Sequence, residues 1–135
     1  MTNFSCVFDP ERPDGCPPPD AEQRDVAIFR HVKALPVVDA HFHSDVKIGA
    51  RYNNPEKCEC WGCSVWVNEA AVQHAVSLFP HFRKKYVVSA QILASHGAIM
   101  HTGTNSQPDH HTFWFASDQS ISSRFSVYMK DGEIV

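Results

Sequence analysis

An α/β chain of alternating helical and extended segments is the fold class the sequence predicts, with a small α+β domain as the alternative. Three observations carry this. Apolar residues fall at helical spacing in two segments, and short β-branched or aromatic runs mark several strands. Proline, glycine and asparagine separate these segments. At 135 residues, 43% hydrophobic and 20% charged, the chain has the composition of a folded domain with a buried core.

Residues 1–19 carry Pro10, Pro13, Gly15, Pro17, Pro18 and Pro19, which block helix and strand alike, so a Pro-rich flexible tail is expected there. Residues 20–135 are expected to form the α/β domain. Asp20 starts a helix as its N-cap, with Gln23 in capping-box position. Val26, Phe29, Val32 and Lys33 fall at helical spacing, Ile28 and Leu35 widen the apolar face, and Pro36 ends the helix. A strand follows from Val37 to His43. The segment from Gly49 to Gly62 is a loop, with Asn53-Asn54-Pro55 as a turn signal. Ser64 to Val67 reads as a short strand. Asn68 caps a second helix through Phe79, built on Ala70, Ala71, Val72, Ala75, Val76 and Leu78 and stopped by Pro80. Tyr86 to Leu93 is a strand. Gly97 to Asp109 is polar and turn-rich, and Thr112 to Ala116 and Arg124 to Met129 are later strands. Asp131-Gly132 is a hairpin-turn signal, and the chain stops three residues later, as a truncated domain would.

The formal charge of −3 gives no general attraction to nucleic acid, and the Arg83-Lys84-Lys85 cluster reads as a solvated loop. No apolar run approaches the ~20 residues needed to span a bilayer, so no membrane association is expected. The N-terminus has no basic start and no apolar run of the secretory type. Five cysteines cannot all pair within the chain. Reduced thiols and an intracellular location, cytoplasmic or nuclear, are therefore expected.

Nine histidines raise the expectation of a metal site. On the strand Val37 to His43, side chains alternate between faces, so Asp39, His41 and His43 share one face and Val38, Ala40 and Phe42 the other. Two imidazoles two residues apart on a strand can reach one metal ion, with Asp39 joining or orienting them. Burying that polar face without a partner is costly, and a bound ion removes the cost.

The run Val37-Val38-Asp39-Ala40-His41-Phe42-His43-Ser44-Asp45 resembles the opening motif of the TatD family of metal-dependent deoxyribonucleases, which are TIM barrels of the amidohydrolase type. The resemblance covers about nine residues. It implies that His41 and His43 bind a divalent metal ion, Mg, Mn or Zn, that Asp39 supports them, and that Asp45 matches the aspartate following the motif. It further implies a phosphoester hydrolase acting on DNA as a 3'-5' exonuclease, in which one or two ions activate bound water. A TIM barrel needs at least ~200 residues, so a partial, truncated barrel is expected, either active or an inactive fragment. The polymerase-and-histidinol-phosphatase (PHP) family is similar too, through His43-Ser44-Asp45. The family's further ligands have no placed counterparts. His96 follows a predicted strand, where a barrel ligand would lie, while His101, His110 and His111 read as loop histidines. An incomplete barrel leaves sheet edges unpaired, so self-association is expected.

The competing class is non-catalytic. Cys58, Cys60 and Cys63 pack three thiols into six residues, and Cys60-x-x-Cys63 is half of a common zinc grip. His74 or His81 would be the fourth ligand of a zinc-binding or protein-interaction domain. The same spacing suits a redox pair. Asp109-His110-His111 before Thr112-Phe113-Trp114-Phe115 suggests acid–base or metal chemistry at the start of a strand, and a Cys63 nucleophile with His110 or His111 as base is conceivable. No Gly-rich phosphate loop is present.

Overall fold

Most of the strongly apolar runs become strands, and what each strand buries on its two faces sets the layers. The computed structural model describes residues 4–50, 53–80 and 85–135. Strand β1 (Val26–Val32) pairs with β3 (Tyr86–Ile92), β3 with β6 (Ser126–Lys130), and β6 with β7 (Glu133–Ile134). A second sheet has the order β2-β5-β4, from β2 (Cys63–Val65), β5 (His111–Phe115) and β4 (Gly97–His101). All these pairings are antiparallel. Two α-helices, α1 (Asp45–Ile48) and α2 (Glu69–Leu78), and short 3-10 turns complete the described elements.

The sheets face each other across the main core. Ile28, Val32, Val88 and Ile92 from the first meet Val65, Ile99 and Phe113 from the second. Each such side chain, fully buried, contributes about 1.5–3 kcal/mol of transfer free energy. The far face of the four-stranded sheet presents Phe29, Val87 and Met129 to Ala71, Val72, Ala75 and Val76 of α2. The helix starts where Asn68 accepts a hydrogen bond from the Ala71 amide at 2.7 Å. On the outer face of the three-stranded sheet, Ala98 and Trp114 are covered by Phe8, Cys16 and Ala21 of the N-terminal segment. A disulfide joins Cys16 to Cys58, and a backbone bridge joins Glu22 to Ile99.

Several expectations are corrected here. The chain is a small α+β domain with two antiparallel sheets, the alternative reading, and not a partial TIM barrel. A barrel requires parallel strands with crossover helices, and no described pair is parallel. The expectation of self-association rested on the open edges of an incomplete barrel, so it loses that ground. The helix expected from Asp20 is strand β1. Its spacing satisfied a helix only because both faces of the strand are buried, Val26, Ile28 and Val32 on one and Phe29 on the other. The strand expected from Val37 to His43 is a 3-10 turn over Asp39–Phe42. The turn-rich region after Gly97 contains β4.

The proline-rich head, from residue 4, lies against β4 and β5, with Phe8 and Cys16 each 5% exposed. The disulfide corrects the expectation that all the thiols are reduced. Among the described residues no helix is long and apolar enough to cross a membrane. His81 and most of the Arg83-Lys84-Lys85 cluster lie outside the described residues.

Candidate functional site

The segment that suggested metal chemistry forms one wall of a cleft. Its 3-10 turn is closed by hydrogen bonds from the His41 amide to the Val38 carbonyl (3.0 Å) and from the His43 amide to the Ala40 carbonyl (3.2 Å). At three residues per turn, side chains two apart point about 120° away from each other. Asp39 and His43 line the cleft, and His41 does not. His41 turns back on its own backbone, where its Nδ1 accepts from the Val38 amide at 3.2 Å. Its carbonyl accepts from Arg30 Nε at 2.8 Å.

Asp39 is engaged as well. Its Oδ1 accepts from the Ser120 hydroxyl at 3.0 Å and from the Ser122 amide at 3.2 Å, which ties the turn to the loop before β6. Hydrogen bonding from Ser122 and Ser120 holds its carboxyl below the usual range. Burial, with Lys47 nearby, lowers the His43 pKa, and Asp39 opposes the shift. Asp45 follows Ser44, whose Oγ caps α1 by accepting from the Lys47 amide at 3.1 Å, and Asp45 does not line the cleft.

The opposite wall comes from the N-terminal head. Phe8, Asp9 and Arg12 face Phe42, His43 and Lys47, while Trp61, Trp114 and Phe115 supply further aromatic surface. The space amounts to about 660 Å³ including its open mouth. Arg12 lies over the Phe8 ring, 5.6 Å from its centroid, and donates to the carbonyls of Cys16 (2.6 Å) and Asp9 (2.9 Å). The carboxylate of Asp9 accepts from the Glu11 amide at 3.0 Å. The ion pairing seen among the described residues is Arg24 with Glu22, so neither Arg12 nor Lys47 is neutralised by a carboxylate there.

No family model, curated protein or solved structure matches the chain, which leaves the TatD-like or PHP resemblance without support.

The expected TatD-type nuclease is overturned by the structure itself. The barrel is absent, and among the described residues no three His, Cys, Asp or Glu side chains converge as a metal centre requires. The alternative built on three cysteines is overturned too. Cys58 is bonded to Cys16, and Cys60 and Cys63 stand as separate thiols. Cys63 is buried with its Sγ 3.4 Å from the Phe42 carbonyl and 3.5 Å from that of His43, so it does not face His110. Burial raises its thiol pKa, which makes it a poor nucleophile. His96 is 6% exposed and is used locally, its Nδ1 accepting from the Leu93 amide at 2.9 Å. His101 bonds the Pro108 carbonyl, and His111 lies 2.9 Å from that of Asp109.

Arg12, Lys47 and Trp61 are cleft residues that sequence reasoning did not single out. No local pattern marks them, because the cleft exists only once the head has folded over β5.

Proposed function

We propose that this chain is a binding domain for a small aromatic anion, held in the cleft between the N-terminal head and the Asp39–His43 turn. One observation carries the reading. The aromatic walls are joined by two cations, Arg12 and Lys47, that lack carboxylate partners, whereas Asp9 and Asp39 already accept hydrogen bonds from their own surroundings. The rings of Trp61 and Phe8 offer faces for a flat group. Arg12 and Lys47 offer charge-assisted bonds to a carboxylate or phosphate. His43, held towards its neutral form, supplies a further polar contact without placing a third charge in the site.

Isothermal titration calorimetry with 1-naphthoate, 1-naphthyl phosphate and the neutral 1-naphthamide tests the proposal. Saturable binding of both anions and weaker binding of the amide are expected. Arg12→Ala or Lys47→Ala should each weaken the anions about tenfold, the equivalent of one charge-assisted hydrogen bond of about 1.5 kcal/mol. Equal affinity for the amide, or no saturable binding, overturns it.

A further inference from the structure

Away from the cleft, the outer face of the three-stranded sheet carries a chain of four hydrogen-bonding side chains. Ser64 lies opposite Thr112 in the β2–β5 register. His110, two residues before Thr112, projects from the same face. The ring of His110 sits between two groups. Its Nε2 is 2.9 Å from Ser64 Oγ. Its Nδ1 faces Thr102, 3.2 Å from the carbonyl oxygen and 2.9 Å from Oγ1. Thr102 Oγ1 is in turn 2.8 Å from Oγ1 of the buried Thr112.

In the tautomer that donates from Nδ1 to the Thr102 carbonyl, which only accepts, the Nε2 lone pair is left for the Ser64 hydroxyl. The three parts of an activated nucleophile are therefore present: a hydroxyl, a base within hydrogen-bond reach, and a group that fixes the tautomer of the base. Ser64 is exposed, and it opens onto a hollow lined by Arg30, Lys57, Cys60, Gly62 and Thr112.

We propose that Ser64 is a nucleophile activated by His110 and that it takes small carboxylic esters from this hollow. This chemistry differs from the metal-assisted reaction expected of His41 and His43, and it does not rest on the aromatic-anion cleft. Ser64 Oγ attacks the ester carbonyl and its proton passes to His110 Nε2. The bond from carbon to the leaving alkoxide breaks as Nε2 returns the proton to that oxygen. Water, deprotonated by the same nitrogen, then releases the acid and restores the hydroxyl. Burial lowers the His110 pKa, the Thr102 carbonyl and Glu59 act against the shift, and His111 and His101 add to it. The ring is thus in its basic form at neutral pH.

The test is labelling of the full chain by an alkyl fluorophosphonate, read by intact mass and peptide mapping. In that reaction the Oγ–P bond forms, the P–F bond breaks, fluoride departs, and the serine proton leaves through His110. A single adduct on Ser64 is expected, absent in Ser64→Ala. In His110→Gln the rate should fall about a hundredfold, the lower end of what a positioned base supplies. The wild-type rate should also fall as acidification passes the folded His110 pKa, which burial holds below the ordinary imidazole value, a readout that needs no variant to fold. Adducts spread over several serines, no adduct at all, or a Ser64 rate that is flat from pH 5 to 8 overturns the proposal.

Discussion

His43 and His110 are both held below the ordinary imidazole pKa, chiefly by burial, and this makes stability depend on pH at the level of single residues. The unfolded chain takes up these protons near pH 6.5, before the folded chain does. Stability should therefore fall as pH drops below about 6.5 and level off once the lower folded values are passed. Calorimetric Tm values from pH 7.5 to 5 check this, and His110→Gln should flatten part of the slope. Asp39 acts lower on the scale. Its depressed carboxyl contributes stability above the unfolded value of about 3.9, and that contribution is lost as pH falls through the folded value. Because Asp39 is exposed, Asp39→Ala should cost less than about 1 kcal/mol in urea unfolding. At this scale the sequence was partly legible. Asp39 and His43 do share a site wall, as their alternation suggested, but the third member, His41, is rotated away by the 3-10 turn. The Asp109-His110-His111 run suggests acid–base or metal chemistry from sequence alone. Its partner is Ser64 rather than the neighbouring Cys63, because the cysteine faces the core and the serine faces out.

Among the elements, α2 was the plainest to read, since Asn68, the apolar stripe and Pro80 all mark it. Asn68→Ala should remove its cap and cost about 1 kcal/mol, measured by urea denaturation. The Asp131-Gly132 turn was equally plain. Both residues adopt positive φ, +54° and +80°, as a two-residue hairpin turn requires. β1 was not plain, because a strand buried on both faces lacks the alternation that distinguishes it from a helix. β4 was hidden by Gly97 and Ala98, whose small size reads as loop. Gly97 is required there. Its φ of +152° suits glycine, and a methyl group would run into the Trp114 carbonyl and the Phe113 ring. Gly97→Ala should unfold or severely destabilise the protein, seen as loss of the cooperative transition by circular dichroism.

At the scale of the whole molecule, the head is held by one covalent link whose removal reaches the cleft. The Cys16–Cys58 bond spans 42 residues, a loop length for which cross-linking stabilises by about 4 kcal/mol. Reduction, or Cys16→Ser, should lower Tm, and it should weaken naphthoate binding because Phe8 and Arg12 lie on the segment it fastens. Unchanged affinity after complete reduction, confirmed by thiol titration, would show that the remaining contacts of the head suffice. This arrangement was illegible in the sequence, where prolines announced an extended segment but nothing told which surface it would lie on. A second link has a different consequence. The Phe29 amide donates to the Trp66 carbonyl at 2.8 Å and the Trp66 amide to the Phe29 carbonyl at 2.9 Å, so β1 is hydrogen-bonded both to its own sheet and to the chain just beyond β2. Neither layer can peel off without exposing that reciprocal pair. Deuterium uptake at both amides should accordingly wait for global opening, and the two halves should melt as one.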